Sequence, residues 1–174
     1  MYELLAEHQL EWGAIEIHQV DERIAPAGDD ERNLTHLDRS LGDAGRPSLR
    51  PMPVDRDDLD VAALTYAETL PDPLDLVHLG LGPDGHTASL VPGDPVLEVG
   101  DRRVALTGEY QGRRRMTLTY PALDSARQIL WLVTGDDKRD PLAKLCAGDE
   151  SIPAGRVQAA RQTIVCDRAA AGQS

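Results

Sequence analysis

Short apolar runs alternate with amphipathic stretches along the chain. Ile129–Val133 is a near-continuous apolar run, the pattern of a strand buried on both faces. Leu74 to Leu79 is expected to be a second buried strand. Ile15 to Val20 alternates apolar and polar residues and is β-branched at three positions, so it predicts a strand running into Asp21-Glu22-Arg23. Shorter strands are expected at Arg103 to Leu106 and Thr163 to Cys166, with an apolar–polar segment at Thr117 to Tyr120. Leu34, Leu37 and Leu41 fall at helical spacing and predict a helix over 31–41. Leu59, Ala62, Ala63, Tyr66 and Leu70 predict another over 55–69, ended by Pro71 and Pro73. A helix tail over 1–9, a helical turn over 122–126, a helix over 140–147 and a final helix opening at Ile152-Pro153 complete the set. Loops are expected over 26–30, 42–53 and 108–112. Strands alternating with helices imply an α/β fold with a largely parallel sheet. Neither a repeat nor a linker divides the chain, so residues 1–174 are expected to form one domain.

Composition narrows the function classes. The formal net charge of −12 argues against nonspecific binding to nucleic acid or to an anionic membrane, both of which favour basic surfaces. Arg113, Arg114 and Arg115 form a local basic cluster in this acidic chain. Cys146 and Cys166 lack metal-ligand spacing and are expected to be free thiols, as in a cytoplasmic protein. There is no leader pattern at the start and no apolar run long enough to span a bilayer.

The chemistry concentrates between Asp75 and Pro95. Gly80, Gly82 and Gly85 follow the buried strand, and a helix is expected to start at Thr87, offering free N–H groups to an anion. Gly80 to Gly85 fits the spacing of a dinucleotide-binding turn. Pro92, Gly93 and Pro95 end the next segment too soon for the crossover helix such a turn requires. No Gly-Lys-Ser/Thr follows, which excludes a P-loop. The turn carries an acid, Asp84, and a base, His86. Imidazole is a natural general base near neutral pH, and a carboxylate beside it holds its tautomer. No Gly-x-Ser-x-Gly elbow accompanies the pair, so His86 is expected to activate water or move a substrate proton. The remaining histidines are not paired at metal-ligand spacing, and no metal or other cofactor is expected. His78 is expected to be a hydrogen-bonded core residue.

Arg23 and Lys138 lie just past the ends of expected strands, on the sheet edge where His86 should be. Together they form a candidate anion site, Arg as a fork and Lys as a point charge. Arg115 is a third candidate, with Arg113 and Arg114 expected to face solvent.

At this point the sequence resembles the 6-phosphogluconolactonases. The resemblance rests on Gly80-Leu-Gly-Pro-Asp-Gly-His-Thr-Ala-Ser-Leu-Val-Pro-Gly93, with Val91 where the family has Phe. Supporting it are Asp21-Glu22-Arg23 with Asn33, Arg115-Met-Thr117, Gly135 with Lys138, Pro153, and Asp167 with Ala169 and Ala170. The resemblance implies a three-layer Rossmann-like fold and hydrolysis of 6-phospho-D-glucono-1,5-lactone to 6-phosphogluconate in the oxidative pentose phosphate pathway. It further implies His86 as the base that activates water, oriented by Asp84. Arg23, Lys138 and Arg115 would hold the phosphate or the developing oxyanion, with Gly82 and Gly85 shaping the turn against the substrate. A monomer acting on a small phosphorylated lactone is expected. Family members begin with a strand and a Gly-Gly-x-Thr-Pro loop that this sequence lacks. The working expectation is therefore a start at an internal methionine, with weak activity and stability. Two alternatives stay open. One is a glucosamine-6-phosphate deaminase, which would carry an acid where this chain has Leu90-Val91-Pro92. The other is an inactive remnant that binds without turnover.

Overall fold

The computed structural model describes residues 2–45 and 48–173. Met1 of the expected helix tail and Arg46 and Pro47 of the expected 42–53 loop lie outside the described residues. The α-helices are α1 (Tyr2–Ala6), α2 (Asn33–Gly45), α3 (Leu59–Thr69), α4 (Tyr120–Asp124) and α5 (Arg139–Ala147). The strands are β1 (Ile17–His18), β2 (Asp21–Arg23), β3 (Leu49–Arg50), β4 (Val77–Leu79), β5 (Val104–Leu106), β6 (Arg115–Leu118), β7 (Ile129–Val133) and β8 (Gln162–Cys166). They form a parallel β4-β7-β8 sheet, a parallel β1-β3 pair and an antiparallel sheet in the order β2-β6-β5. The expected α/β class holds, with one whole sheet antiparallel.

The strand β7 sits at the centre of the parallel sheet and explains its own alternation. Ile129, Trp131 and Val133 are fully buried, whereas Leu130 and Leu132 on the opposite face are half-buried. Only one face of the apolar run is therefore sealed in the core. The Trp131 indole N–H donates to Gln162 Oε1 at 2.9 Å, so the largest buried ring carries no unpaired donor. Helix α3 starts where the Asp58 side chain accepts the Val61 N–H. It buries Ala62, Ala63 and Tyr66, and the Tyr66 hydroxyl donates to the Gln19 and Arg50 carbonyls, fixing α3 over the β1-β3 pair.

Four expectations change. Asp21-Glu22-Arg23 is a strand in its own right, paired antiparallel with β6, rather than the charged exit of a strand over 15–20. Glu22 causes this. Its fully buried carboxylate accepts the backbone N–H groups of Arg23, Asn33 and Leu34 and the Gln19 side-chain amide, with Arg32 Nε 3.5 Å away. One side chain thus caps the N-terminus of α2 and anchors β2. The expected loop at 42–53 contains the strand β3. No helix starts at Thr87, because Ala88 adopts a left-handed φ of 47° and the segment closes as a tight turn between Thr87 and Leu90. The Thr87 hydroxyl donates back to the Gly80 carbonyl at 2.9 Å. The expected final helix is a single 3-10 turn, Pro153–Arg156, whose Ala154 N–H is taken by the Gly85 carbonyl.

Candidate active site at the glycine turn

The exits of β4, β7 and β8 lie side by side, since Leu79 pairs with Trp131 and Val133 with Cys166. The glycine turn leaves from the first of these. Within it the Gly82 N–H donates to the His86 carbonyl at 2.8 Å and the Gly85 N–H to the Gly82 carbonyl at 3.0 Å. Both glycines are required by their surroundings. A Cβ on Gly82 would stand 2.1 Å from His86 Nδ1, and one on Gly85, whose φ is +82°, would stand 2.5 Å from Ile152. The loop is further bound to the antiparallel sheet through buried Ser89, whose N–H donates to Thr117 Oγ1 and whose hydroxyl donates to Asp21 Oδ2 at 2.6 Å.

This lock sets the expected pair in place. Asp84 Oδ1 lies 2.5 Å from His86 Nδ1 and also accepts the His86 backbone N–H at 3.1 Å. Partial burial works to raise the Asp84 pKa, but the backbone and imidazole hydrogen bonds of His86, with its charge, outweigh it and hold the carboxyl below the usual carboxylate range. With Nδ1 engaged, Nε2 is the ring nitrogen left to exchange a proton with a substrate or water.

The cations gather on the other sheet. The register of β2 against β6 sets Arg23 directly opposite Arg115. Like charges facing each other across a ladder are destabilising, unless an anion comes between them. Arg23 and Arg115 line an open cleft of about 320 Å³ with Asp30, Glu31, Gln111 and Arg113. Arg115 is buried, its Nε has no hydrogen-bond partner among the described residues, and burial pushes its pKa below the usual arginine value. The Arg23 guanidinium donates to the Glu31 carbonyl and to Asn33 Oδ1. Arg113, expected to face solvent, is about a third exposed and pairs with Glu31 on the cleft wall and with Asp29 beside it. Arg114 Nε donates to the Thr107 carbonyl.

Tyr110 joins the two halves and was not singled out in the sequence. Its hydroxyl donates to Asp84 Oδ2 at 3.3 Å, its ring meets His86 edge-on at 5.7 Å between centroids, and the Arg115 guanidinium lies over its face at 5.0 Å. Nothing in one sequence marks it, because it sits at the tip of a hairpin whose position is set by tertiary pairing. Lys138 is on the same sheet edge as His86, beyond β7, and its ammonium pairs with Asp137 at 2.6 Å. Gly135 beside it, at a φ of 101°, donates its N–H to Asp167. His78 accepts or donates one bond at Nδ1 with the Tyr2 hydroxyl at 2.9 Å, and its buried Nε2 is unpartnered among the described residues. Among those residues no group of three or more His, Cys, Asp or Glu is placed to hold a metal ion, and no helix is long and apolar enough to cross a membrane. Cys146 and Cys166 are free and exposed.

The histidine–carboxylate turn and the facing arginine pair stand on an α/β fold shared with solved enzymes, and comparison with known proteins gives its family. Residues 1–166 match the family described as glucosamine-6-phosphate isomerases/6-phosphogluconolactonase, and the chain belongs to that family. A 6-phosphogluconolactonase of Mycobacterium tuberculosis is 36% identical over 186 residues, covering 95% of this chain and 75% of that protein. One of Synechocystis is 35% identical over 162 residues, covering 84% of this chain and 66% of that protein. The chain thus spans two thirds to three quarters of the length of these relatives. The crystal structure of 6-phosphogluconolactonase from Thermotoga maritima superposes with a TM-score of 0.84 at 27% identity, covering 95% of this chain and 79% of that one.

Proposed function

We propose that this chain hydrolyses 6-phospho-D-glucono-1,5-lactone to 6-phosphogluconate, with His86 as general base. The observation that carries the reading is the arginine pair of β2 and β6, one member buried with an unpaired Nε, joined through Tyr110 to a histidine–carboxylate pair. A phosphate fits between Arg23 and Arg115 and neutralises their repulsion. The lactone carbonyl then faces the glycine turn, which Gly82 and Gly85 allow to close tightly around His86 and against Ile152.

Water attacks the carbonyl carbon as His86 Nε2 takes its proton, and the carbonyl electron pair moves onto oxygen. Asp84 stabilises the resulting imidazolium through Nδ1. Lys138, at the neighbouring strand exit, is the cation assigned to the oxyanion. As the oxyanion collapses, the bond from carbon to the ring oxygen breaks and that oxygen takes the proton back from Nε2. The product is an open-chain hydroxy acid. No covalent enzyme intermediate is needed, because a lactone carbonyl is activated enough for assisted attack by water.

The test is acid release from 6-phosphogluconolactone above its spontaneous rate, with wild type and His86→Ala in parallel. General-base loss is worth about 10²–10⁴-fold in kcat, so the variant should fall by that order with KM little changed. Wild-type-like hydrolysis by His86→Ala excludes it as the base. Ammonia release from glucosamine 6-phosphate in place of lactone hydrolysis would assign the site to the deaminase branch.

A further inference from the structure

The Tyr110 side chain touches both the base pair and the Arg115 wall of the anion cleft, and its placement is built in by the β5–β6 hairpin. Tyr110 and Arg113 flank the turn and exchange backbone hydrogen bonds at 3.0 and 3.3 Å. Between them Gln111 and Gly112 both take positive φ, 53° and 76°, the pair of left-handed residues that matches the natural twist of a two-residue hairpin. The turn therefore holds a fixed shape and aims three of its side chains at the site. Tyr110 reaches Asp84 and His86, Gln111 Oε1 accepts Arg115 Nη2 at 3.3 Å, and Arg113 pairs with Glu31 across the cleft.

The contacts of Tyr110 are of two chemically separate kinds. The hydroxyl is a neutral donor to the outer oxygen of Asp84, leaving the inner oxygen to His86. The ring face takes the guanidinium of Arg115 and the ring edge abuts the imidazole. Burial and the Asp84 charge both raise the Tyr110 pKa, so the hydroxyl stays protonated and able to donate across the neutral range.

We propose that Tyr110 is a positioning and specificity-determining residue: it ties an anion held on Arg115 to the orientation of the Asp84–His86 pair, so that phosphorylated lactones are selected over unphosphorylated ones. This rests on the lactonase reading of the site. An anion between Arg23 and Arg115 fixes the guanidinium, the guanidinium fixes the ring, and the ring and hydroxyl fix carboxylate and imidazole. An unphosphorylated lactone leaves the first link empty.

Two variants separate the two kinds of contact. Tyr110→Phe keeps the ring and loses the donor. It should lower kcat for 6-phosphogluconolactone about 3- to 10-fold, the worth of one hydrogen bond, with kcat for glucono-1,5-lactone changing far less and both KM values unmoved. Tyr110→Leu also loses the ring. It should raise KM for the phosphorylated lactone alone by about 5- to 20-fold, the worth of a cation–π contact at a partly desolvated site. Calorimetric binding of inorganic phosphate gives a readout that needs no turnover. It should weaken by the same factor in Tyr110→Leu and stay at the wild-type value in Tyr110→Phe. If wild type binds phosphate but hydrolyses neither lactone, the lactonase reading fails while the phosphate arm still judges Tyr110. If phosphate affinity is unchanged in Tyr110→Leu, or if both variants lose rate equally on both lactones with a matching fall in Tm, the role is overturned and Tyr110 is a packing residue.

Discussion

The two halves of the candidate site are built by different means. At the glycine turn the backbone does the positioning. Gly82 and Gly85 have no room for a Cβ, the turn closes on its own carbonyls, and the Gly85 carbonyl is bonded to Ala154. On the antiparallel sheet the positioning is done by side chains. Arg23 is held by Asn33 and the Glu31 carbonyl, and its strand is anchored by the buried Glu22 carboxylate. The division suits the chemistry proposed for each half. A general base must be held in orientation, here by the 2.5 Å contact of His86 Nδ1 with Asp84, and a misplacement of an ångström is costly. Holding a phosphate depends on charge and on a fork that can adjust.

The sharpest way to break this contrast is Gly82→Ala. The added Cβ falls 2.1 Å from His86 Nδ1 and 2.7 Å from Asp84 Oδ1, so the pair must separate. Turnover should fall by about 10²-fold or more, toward the level expected for loss of the base, with KM for the phosphorylated lactone within a few-fold of wild type. Steady-state kinetics at saturating substrate checks this, and an unchanged kcat would show that the backbone lock is dispensable.

The next largest effect belongs to the other half and is one of stability. Glu22→Ala strips the buried Arg32 of its partner and leaves the N–H groups of Asn33 and Leu34 uncapped. Removing one member of a buried pair costs about 3–5 kcal/mol. Urea unfolding should show that loss, with β2 and the start of α2 losing amide-exchange protection ahead of β7. Protection lost uniformly would mean that Glu22 is not the anchor of this half.

Arg23→Gln and Arg115→Gln probe the grip directly. Each should raise KM for the phosphorylated lactone by about 10- to 100-fold, in line with a charge-assisted bond, with glucono-1,5-lactone turnover changing far less. Arg23→Gln also relieves the like-charge pairing with Arg115, so a raised Tm in phosphate-free buffer is expected alongside the weaker binding. Equal loss on both lactones would place the arginines at the reacting carbonyl rather than at the phosphate.

How much of this could be read beforehand follows the same division. The Asp84–His86 pair, its glycines and the strand Ile129–Val133 are local in sequence, and the structure brings them together where the pattern placed them. Arg23 and Arg115 were candidates, but their facing register was not legible, because Asp21-Glu22-Arg23 looks like the charged exit of the preceding strand until a distant helix start is seen to bond Glu22. The helix expected at Thr87 failed for a related reason. Its hydroxyl and that of Ser89 are used up by Gly80 and by Asp21, 68 residues away, and these bonds select a turn over a helix. Tyr110 lay furthest from reach, since its site partners Asp84 and His86 come from a different turn.

The smallest effect separates the halves by the sign of their response to pH. Each half has one carboxyl with a displaced pKa. Asp84, with the bonds from His86 outweighing partial burial, is held below the usual range; Asp21, chiefly through burial and against the Ser89 hydrogen bond, is pushed above it. A carboxyl depressed on folding binds fewer protons folded than unfolded. Its stabilisation is therefore present above the unfolded value and lost as pH falls through the folded one. A carboxyl raised on folding has the opposite slope, and stability declines as pH rises from its unfolded to its folded value. Comparing Tm with wild type from about pH 7 down to about pH 3, the interval that brackets ordinary carboxylates, should show the deficit of Asp84→Asn shrinking as pH falls. Asp21→Asn keeps an acceptor for Ser89 and should gain on wild type as pH rises. Parallel curves for the two variants would mean that the turn and the antiparallel sheet do not differ electrostatically as their geometry requires.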